Sequence, residues 1–110
     1  MNTLHQTESG YMARPGEGRQ LVLRFNNLSL RFTPSSLRRL RQQLQELDLT
    51  EGMFAPEEKR FDVSFDPYPV TLHFDFYEVH EILELIEEGL AQYDLNELLS
   101  QAGISQAPVE

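Results

Sequence analysis

The strongest constraint on the fold is a pattern that occurs twice: two alternating apolar segments, joined by a turn and followed by a helix cap. In the first copy, apolar residues occupy odd positions before Asn26-Asn27 and even positions after it: Leu21, Leu23, Phe25, Leu28, Leu30 and Phe32. Successive side chains of a strand point to opposite faces, so one straight strand would divide these residues between two faces. A two-residue hairpin turn places them all on one face, and asparagine tolerates the positive φ that such a turn needs. A bulged single strand is the alternative.

The second copy follows the same rule around a longer turn, DPYP at residues 66–69. Its alternating apolar residues are Phe61, Val63, Phe65, Val70, Leu72 and Phe74. Segment 28–44 aligns with segment 70–86 at an offset of 42 residues without a gap. The pattern therefore predicts a pseudo-repeat of two strand–strand–helix units.

Each hairpin leads into a predicted amphipathic helix. Thr33-Pro34 combines a good N-cap with a proline at the first helical position. The stripe of leucines behind it is Leu37, Leu40, Leu44 and Leu47. Asp75 and Glu78 have the spacing of a capping box. The apolar residues that follow at helical spacing are Phe76, Val79, Ile82, Leu83, Leu85, Ile86 and Leu90.

Two further segments complete the predicted secondary structure. The sequence GLAQYD is expected to break the second helix, because its glycine weakens a helix interior. Asp94 and Glu97 then have the spacing of another capping box, which predicts a short C-terminal helix containing Leu98 and Leu99. Between the two units, residues 48–59 are predicted to form a loop.

These elements predict an α+β fold in which a four-stranded antiparallel sheet carries two helices on one face. A single unit could hardly bury its own apolar face, so the two units are expected to form one core together. The predicted organisation is a loosely ordered arm over residues 1–19, a ββαββα(α) domain over 20–103 and a tail over 104–110. A chain of 110 residues with 40% hydrophobic composition is typical of one globular domain.

The net charge of −9 is unevenly distributed along the chain. Residues 1–49 hold seven arginines against four acidic residues, a net charge of +3. Residues 50–110 hold two basic residues against fourteen acidic ones, a net charge of −12. One interpretation is that folding brings the halves together and each partly neutralises the other. The alternative is a two-signed surface that serves partners or self-association.

Several classes of chemistry lack their sequence signals. The chain has no cysteine, which excludes disulfides, thiolate zinc sites and cysteine nucleophiles. It has no Gly-x-Ser-x-Gly nucleophile setting and no glycine-rich phosphate loop, so no enzyme is predicted. It has no apolar run long enough to span a membrane and no signal-peptide pattern at its start, so we expect a cytoplasmic protein without a membrane partner.

The histidines and glutamates are interpreted as surface features. His73 lies on a predicted strand opposite Asp62, whereas His80 lies on a helix, so the two histidines are expected on opposite sides of the sheet. A metal site needs three or four converging ligands. The glutamates of residues 78–88 alternate with Ile and Leu at helical spacing, which is typical of a solvated helix face. We therefore predict no metal and no cofactor.

The stretch GYMARPGEGRQLVLRFNNLSLRFTPSSLRRL resembles a family of short uncharacterised bacterial proteins. In that family a Gly-Tyr start leads through a short loop to an apolar strand, an Asn-containing turn, a second strand and a helix. Relatives often carry cysteines in the loop, where this chain has RPGEG, so the resemblance implies no metal role here. It also implies no activity.

Together these features favour a small non-enzymatic protein that acts through contacts with another protein or with a second copy of itself, as a homodimer. The candidate interaction surface contains Arg24, Arg31, Arg38, Arg39, Arg41, His73, Leu98 and Leu99. One alternative is a nucleic-acid-binding module, which would require the five arginines to form one patch. That reading lacks an aromatic stacking platform, because the strand phenylalanines have core parity. The other alternative is small-ligand binding in a pocket near His73.

Overall fold

The computed structural model describes residues 2–16 and 18–103, and the predicted tail over 104–110 lies outside them. The strands are β1 (Asn2–Gln6), β2 (Gly10–Arg14), β3 (Leu21–Phe25), β4 (Leu28–Phe32), β5 (Phe61–Ser64) and β6 (Thr71–Phe74). The helices are α1 (Pro34–Gln45), α2 (Thr50–Phe54) and α3 (Phe76–Gln101). The fold is α+β with a four-stranded antiparallel sheet, as the sequence predicts.

Both predicted hairpins are confirmed in register. Leu21 pairs with Phe32 in the first hairpin, and Phe61 pairs with Phe74 in the second. Asn26 has a φ of 52°, the left-handed conformation that a two-residue turn uses. The alternative of a bulged single strand is therefore wrong.

The N-terminal segment corrects the predicted membership of the four-stranded sheet. Residues predicted to form a loosely ordered arm contain β1 and β2, and the sheet order is β1-β2-β3-β4. β2 pairs with the edge of β3 that would otherwise leave N–H and C=O groups unpaired, and Met12 and Ala13 are fully buried. Gly10 permits the pairing, because a Cβ there would lie 1.8 Å from the carbonyl oxygen of Arg24.

β5 and β6 form a separate two-stranded sheet, so the prediction that the two hairpins share one sheet is wrong. A shared sheet would have to continue from β4, since β2 occupies the edge of β3. At β4 the Tyr68 hydroxyl accepts from the Arg31 N–H at 3.2 Å and donates to the Arg31 carbonyl oxygen at 2.8 Å. At β5 the Gln43 side-chain amide likewise accepts from the Ser64 N–H at 2.8 Å and donates to the Ser64 carbonyl oxygen at 2.9 Å. Side chains thus bond to the backbone at one residue of each edge, Arg31 in β4 and Ser64 in β5.

One hydrophobic core joins the two sheets with α1 and α3. The rings of Phe25 and Phe74 meet edge to face with centroids 5.8 Å apart, and those of Phe32 and Phe65 lie 6.3 Å apart. α3 packs beside α1 and also contacts β1 and β2. The aliphatic side chains buried in this core include Leu21, Leu37, Leu44, Val63, Val79, Ile82, Leu85, Ile86 and Leu90.

The predicted helix starts are confirmed. The Thr33 hydroxyl accepts a hydrogen bond from the Ser36 N–H at 3.2 Å, and Asp75 and Glu78 form the reciprocal capping box. α2 lies where the sequence predicts a loop. The two hairpin–helix units also occupy different surroundings, because the first hairpin belongs to the larger sheet and the second forms its own.

α3 is one continuous helix of 26 residues, so the predicted break at GLAQYD and the separate short C-terminal helix are wrong. Gly89 is buried against β2, and a Cβ there would lie 2.6 Å from the sulfur of Met12. Close packing, rather than helix termination, explains this glycine. Asp94 and Glu97 form ion pairs instead of a capping box. Within the described part of the chain, no helix has the length and apolar character needed to cross a membrane.

Candidate interaction surfaces

The five arginines of the predicted interaction surface are divided between two sides of the molecule. Arg24 and Arg31 are exposed on the outer face of the four-stranded sheet, because the neighbouring residues in β3 and β4 point into the core. Arg38, Arg39 and Arg41 lie on α1, which packs against the core side. The structure therefore does not bring the five together as the single patch that the nucleic-acid hypothesis requires.

Two arginines instead hold the C-terminal part of α3. Arg38 of α1 pairs with Asp94, with Nη2 and Oδ1 2.5 Å apart. Arg14 of β2 donates from Nη1 to Oε1 of Glu97 at 2.8 Å, and its guanidinium lies 5.5 Å from the centroid of the Tyr93 ring. At this end of the molecule, the basic half of the sequence neutralises the acidic half.

These two ion pairs border a cleft of about 960 Å³ between the start of α1 and the end of α3. Its walls combine the paired charges with hydroxyl groups at the start of α1 and with the apolar side chain of Leu98. The guanidinium groups of Arg14 and Arg38 are already paired with carboxylates of α3, so they hold α3 in place.

The last turns of α3 present an apolar surface on the side opposite the core. The spacing of four, three and four residues puts its members on one helix face: Ala91, Leu95, Leu98 and Ala102. We call this surface the α3 stripe. Leu95 is 46% exposed and Leu98 is 62% exposed, whereas Leu99 beside them is half-buried. Of the two predicted leucines, Leu98 is thus the more available for contact.

The charge of α3 changes along its length. The first half carries Glu78, Glu81, Glu84, Glu87 and Glu88. Residues 91–102 carry only Asp94 and Glu97, and both are paired with arginines. Gln92 and Asn96, which flank the stripe, bond to each other at 2.8 Å. The α3 stripe is therefore an apolar surface in a locally neutral setting.

His73 lies on the exposed face of the two-stranded sheet. Its Nδ1 is hydrogen-bonded to Oδ1 of Asp62 on the neighbouring strand, as the predicted register implies. The two side chains are 62% and 70% exposed, which describes a solvated pair and not the walled pocket that the small-ligand hypothesis requires. Across residues 2–16 and 18–103, no three His, Asp or Glu side chains converge as metal ligands would.

A second exposed apolar surface was missed by the sequence analysis. Phe54 of α2 is 86% exposed, and it lines a shallow depression of about 280 Å³ together with Pro56 and Tyr77. Glu57 and Glu58 line the same depression. We call these five residues the α2 platform. The adjacent Met53 is also 68% exposed. The available signal was the pair Met53-Phe54 inside a predicted loop, with no alternating partner to share a buried face.

Close packing at Gly52 fixes the orientation of the α2 platform. A Cβ at Gly52 would lie 2.9 Å from ring atoms of both Phe61 and Phe76, so this face of α2 is pressed against the core. The N–H of Phe76 donates to the carbonyl oxygen of Pro56 at 3.2 Å, which ties the loop after α2 to the start of α3. Phe54 is consequently held outward.

Asp48 supports the start of α2. The side chain and the backbone N–H of Thr50 both donate to its carboxylate, at 2.6 and 3.0 Å. Both bonds lower the pKa of Asp48 below its ordinary value of 3.8, and the bond from the Thr50 side chain has the larger effect. The ionised carboxylate thus contributes to the ordering of α2.

Comparison with known proteins identifies a family without assigning an activity. A family model described as a family of unknown function, DUF6686, matches residues 1–107. No curated protein and no solved structure matches the chain. The match covers almost all of the 110 residues and agrees with the resemblance to uncharacterised proteins seen in the sequence. The chain therefore belongs to DUF6686, a family of unknown function.

Proposed function

We propose that this domain is a non-enzymatic cytoplasmic protein that acts through protein–protein contacts, and that its α3 stripe pairs with a second copy of the chain. The observation that carries the proposal is an exposed pair of leucines, Leu95 and Leu98, on a helix segment whose charges are paired internally. Spacing of three and four residues is also the spacing with which helices pack against each other.

Charge favours a second copy as the occupant of the α3 stripe. Two chains with a net charge of −9 repel each other, so a self-contact needs a surface without unpaired acids. Residues 91–102 meet this condition, because Arg38 and Arg14 neutralise Asp94 and Glu97. The first half of α3, with its five glutamates, does not.

The order of residues in the stripe suits an antiparallel pair. A two-fold axis between residues 96 and 97 would place Leu95 of one chain against the partner's Leu98, and Ala91 against the partner's Ala102. The alanines would let the helix ends approach, and the leucines would fill the centre. A two-fold contact of this kind uses the same surface on both chains and closes without further growth. The contact is small, so we expect a reversible dimer.

The experiment is sedimentation velocity over a concentration series. The wild-type chain is expected to pass from 12.8 kDa to twice that mass as concentration rises. Leu98→Glu should raise the dissociation constant at least about a hundredfold, because the carboxylate would enter an apolar contact twice in each dimer. Val70→Glu is the matched control, since Val70 is a 44% exposed apolar residue on the β5–β6 turn. A wild-type chain that stays monomeric at every concentration would refute self-pairing.

A further inference from the structure

The α2 platform contains an exposed phenylalanine, which sets it apart from the rest of this chain. Of the seven phenylalanines, five have exposures of 6% or less, Phe76 is half-buried, and Phe54 alone is exposed, at 86%. Tyr77 beside it is 58% exposed. Clusters of exposed aromatic residues mark contact surfaces more often than isolated apolar residues do.

Packing against the core and backbone hydrogen bonds hold the platform in place. Gly52 packs against two aromatic rings, and the backbone N–H groups of Glu58 and Lys59 both donate to the carbonyl oxygen of Ala55, at 3.1 and 3.0 Å. The rings of Phe76 and Tyr77 meet edge to face, with centroids 5.8 Å apart. Ordering the platform would therefore cost little free energy when a partner binds to it.

The carboxylates of the platform identify the charge of the partner. Lys59 pairs with Glu51 at 3.1 Å, but the side chains of Glu57 and Glu58 make no ion pair within the described residues. Two free carboxylates beside exposed rings suit a guanidinium or ammonium group, which can contact a ring face and a carboxylate at once. The same carboxylates disfavour a second copy of this acidic chain, nucleic acid and an anionic membrane.

From this arrangement we infer that the α2 platform binds a short segment of another protein in which arginine or lysine lies beside an apolar side chain. The apolar side chain would pack on Phe54 and Tyr77, and the basic one would pair with Glu57 or Glu58. The inference rests on the proposal that this domain acts through protein contacts, but it does not depend on pairing through the α3 stripe.

A phage-displayed library of random 12-residue peptides tests the inference on the full chain. Peptides that also bind the Phe54→Ser variant are removed before sequencing. The remaining peptides should combine basic and apolar residues, and synthetic copies should bind Phe54→Ser at least about tenfold more weakly than wild type. Glu57→Gln/Glu58→Gln should weaken binding and reduce its salt dependence. Val70→Ser, which removes an exposed apolar side chain elsewhere, should bind as wild type does.

Three results would overturn the inference: no peptide remaining after the subtraction, enrichment of acidic peptides, or equal loss of binding in Val70→Ser. Circular dichroism checks that Phe54→Ser folds, which is expected because Phe54 is exposed. Repeating the assay on Leu98→Glu separates the two proposals. Peptide binding by a monomeric Leu98→Glu chain would leave the platform independent of the stripe. A dimer that selects no peptide would refute the platform alone.

Discussion

The α3 stripe and the α2 platform are both apolar and exposed, yet their charges differ. Asp94 and Glu97, the acidic residues of segment 91–102, are each paired with an arginine of the same chain, whereas Glu57 and Glu58 of the platform make no ion pair within the described residues. From this difference we expect the charges around each apolar surface, more than its area, to select the class of partner that can approach. A neutral surface admits a second copy of an acidic chain, and an acidic one admits a basic segment.

This difference follows from where the two halves of the sequence meet. The arginine-rich half contacts the acidic half at the end of α3, through Arg14 and Arg38. The α2 platform lies in the acidic half, and its local basic residues are occupied elsewhere: Lys59 pairs with Glu51, and Arg60 lies 3.7 Å from Asp75. Uneven charge along the sequence thus becomes a difference between two surfaces.

The largest expected effect comes from removing one arginine that neutralises an acidic residue near the α3 stripe, because the stripe then resembles the acidic α2 platform. Arg38→Ala leaves Asp94 unpaired in both copies of a dimer, so the dissociation constant should rise about tenfold at low salt. Arg39→Ala is the matched control, because Arg39 is also exposed on α1 but donates to the Ser36 hydroxyl, at 3.2 Å, and forms no ion pair with a carboxylate of the described residues. Sedimentation velocity measures both variants. Equal effects of the two substitutions would contradict a specific role for the Arg38–Asp94 pair.

Salt should change the dissociation constants at the two surfaces differently, by a smaller factor than the arginine substitution does. Raising NaCl from about 0.05 M to about 0.5 M should weaken a basic peptide on the platform about threefold or more, since exposed charges are screened. The wild-type dimer should not weaken over the same range, because its contact is apolar and salt screens the repulsion between two chains with a net charge of −9. Fluorescence anisotropy and sedimentation velocity give the two constants. A dimer that dissociates as salt rises would contradict the apolar contact.

The smallest expected effect concerns Asp48 and the ordering of α2. Because the pKa of Asp48 is lowered in the folded chain, its contribution to stability is present above the ordinary value of 3.8 and is lost as pH falls through the lowered pKa. Asp48→Asn should remove this acid-range dependence and slightly increase amide exchange in α2 at neutral pH. Exchange measured by NMR between pH 2 and pH 7 checks both. An unchanged pH profile in Asp48→Asn would show that the carboxylate does not support α2.

Local signals in the sequence account for the parts of the fold that could be predicted. The shift of apolar parity at Asn26 determines the register of the first hairpin, and Thr33 and Asp75 mark the starts of two helices by cap chemistry. Each of these signals depends on neighbours a few residues away. They were sufficient for the hairpins, the caps and the fold class.

The remaining features depend on contacts between distant residues. The separation of the hairpins into two sheets accompanies contacts that local patterns do not encode, those of Tyr68 at the edge of β4 and of Gln43 at the edge of β5. β1 and β2 carry few apolar residues, so their strands gave a weak pattern. Gly89 reads as a helix breaker until its packing against Met12 is known. The α2 platform depends likewise on the packing of Gly52, which turns its neighbours outward.

The most direct test of self-pairing through the α3 stripe is a distance between spin labels on two copies of the chain. The absence of cysteine allows a single label at Glu88→Cys, an exposed position on the same outer face of α3. With a helix rise of 1.5 Å per residue, a two-fold axis between residues 96 and 97 and helix axes about 9 Å apart, antiparallel pairing predicts a separation of about 27 Å between the labelled backbone positions in pulsed electron double resonance. That distance should disappear in Leu98→Glu. No dipolar coupling at dimer-forming concentration, or the same distance in Leu98→Glu, would contradict pairing through the stripe.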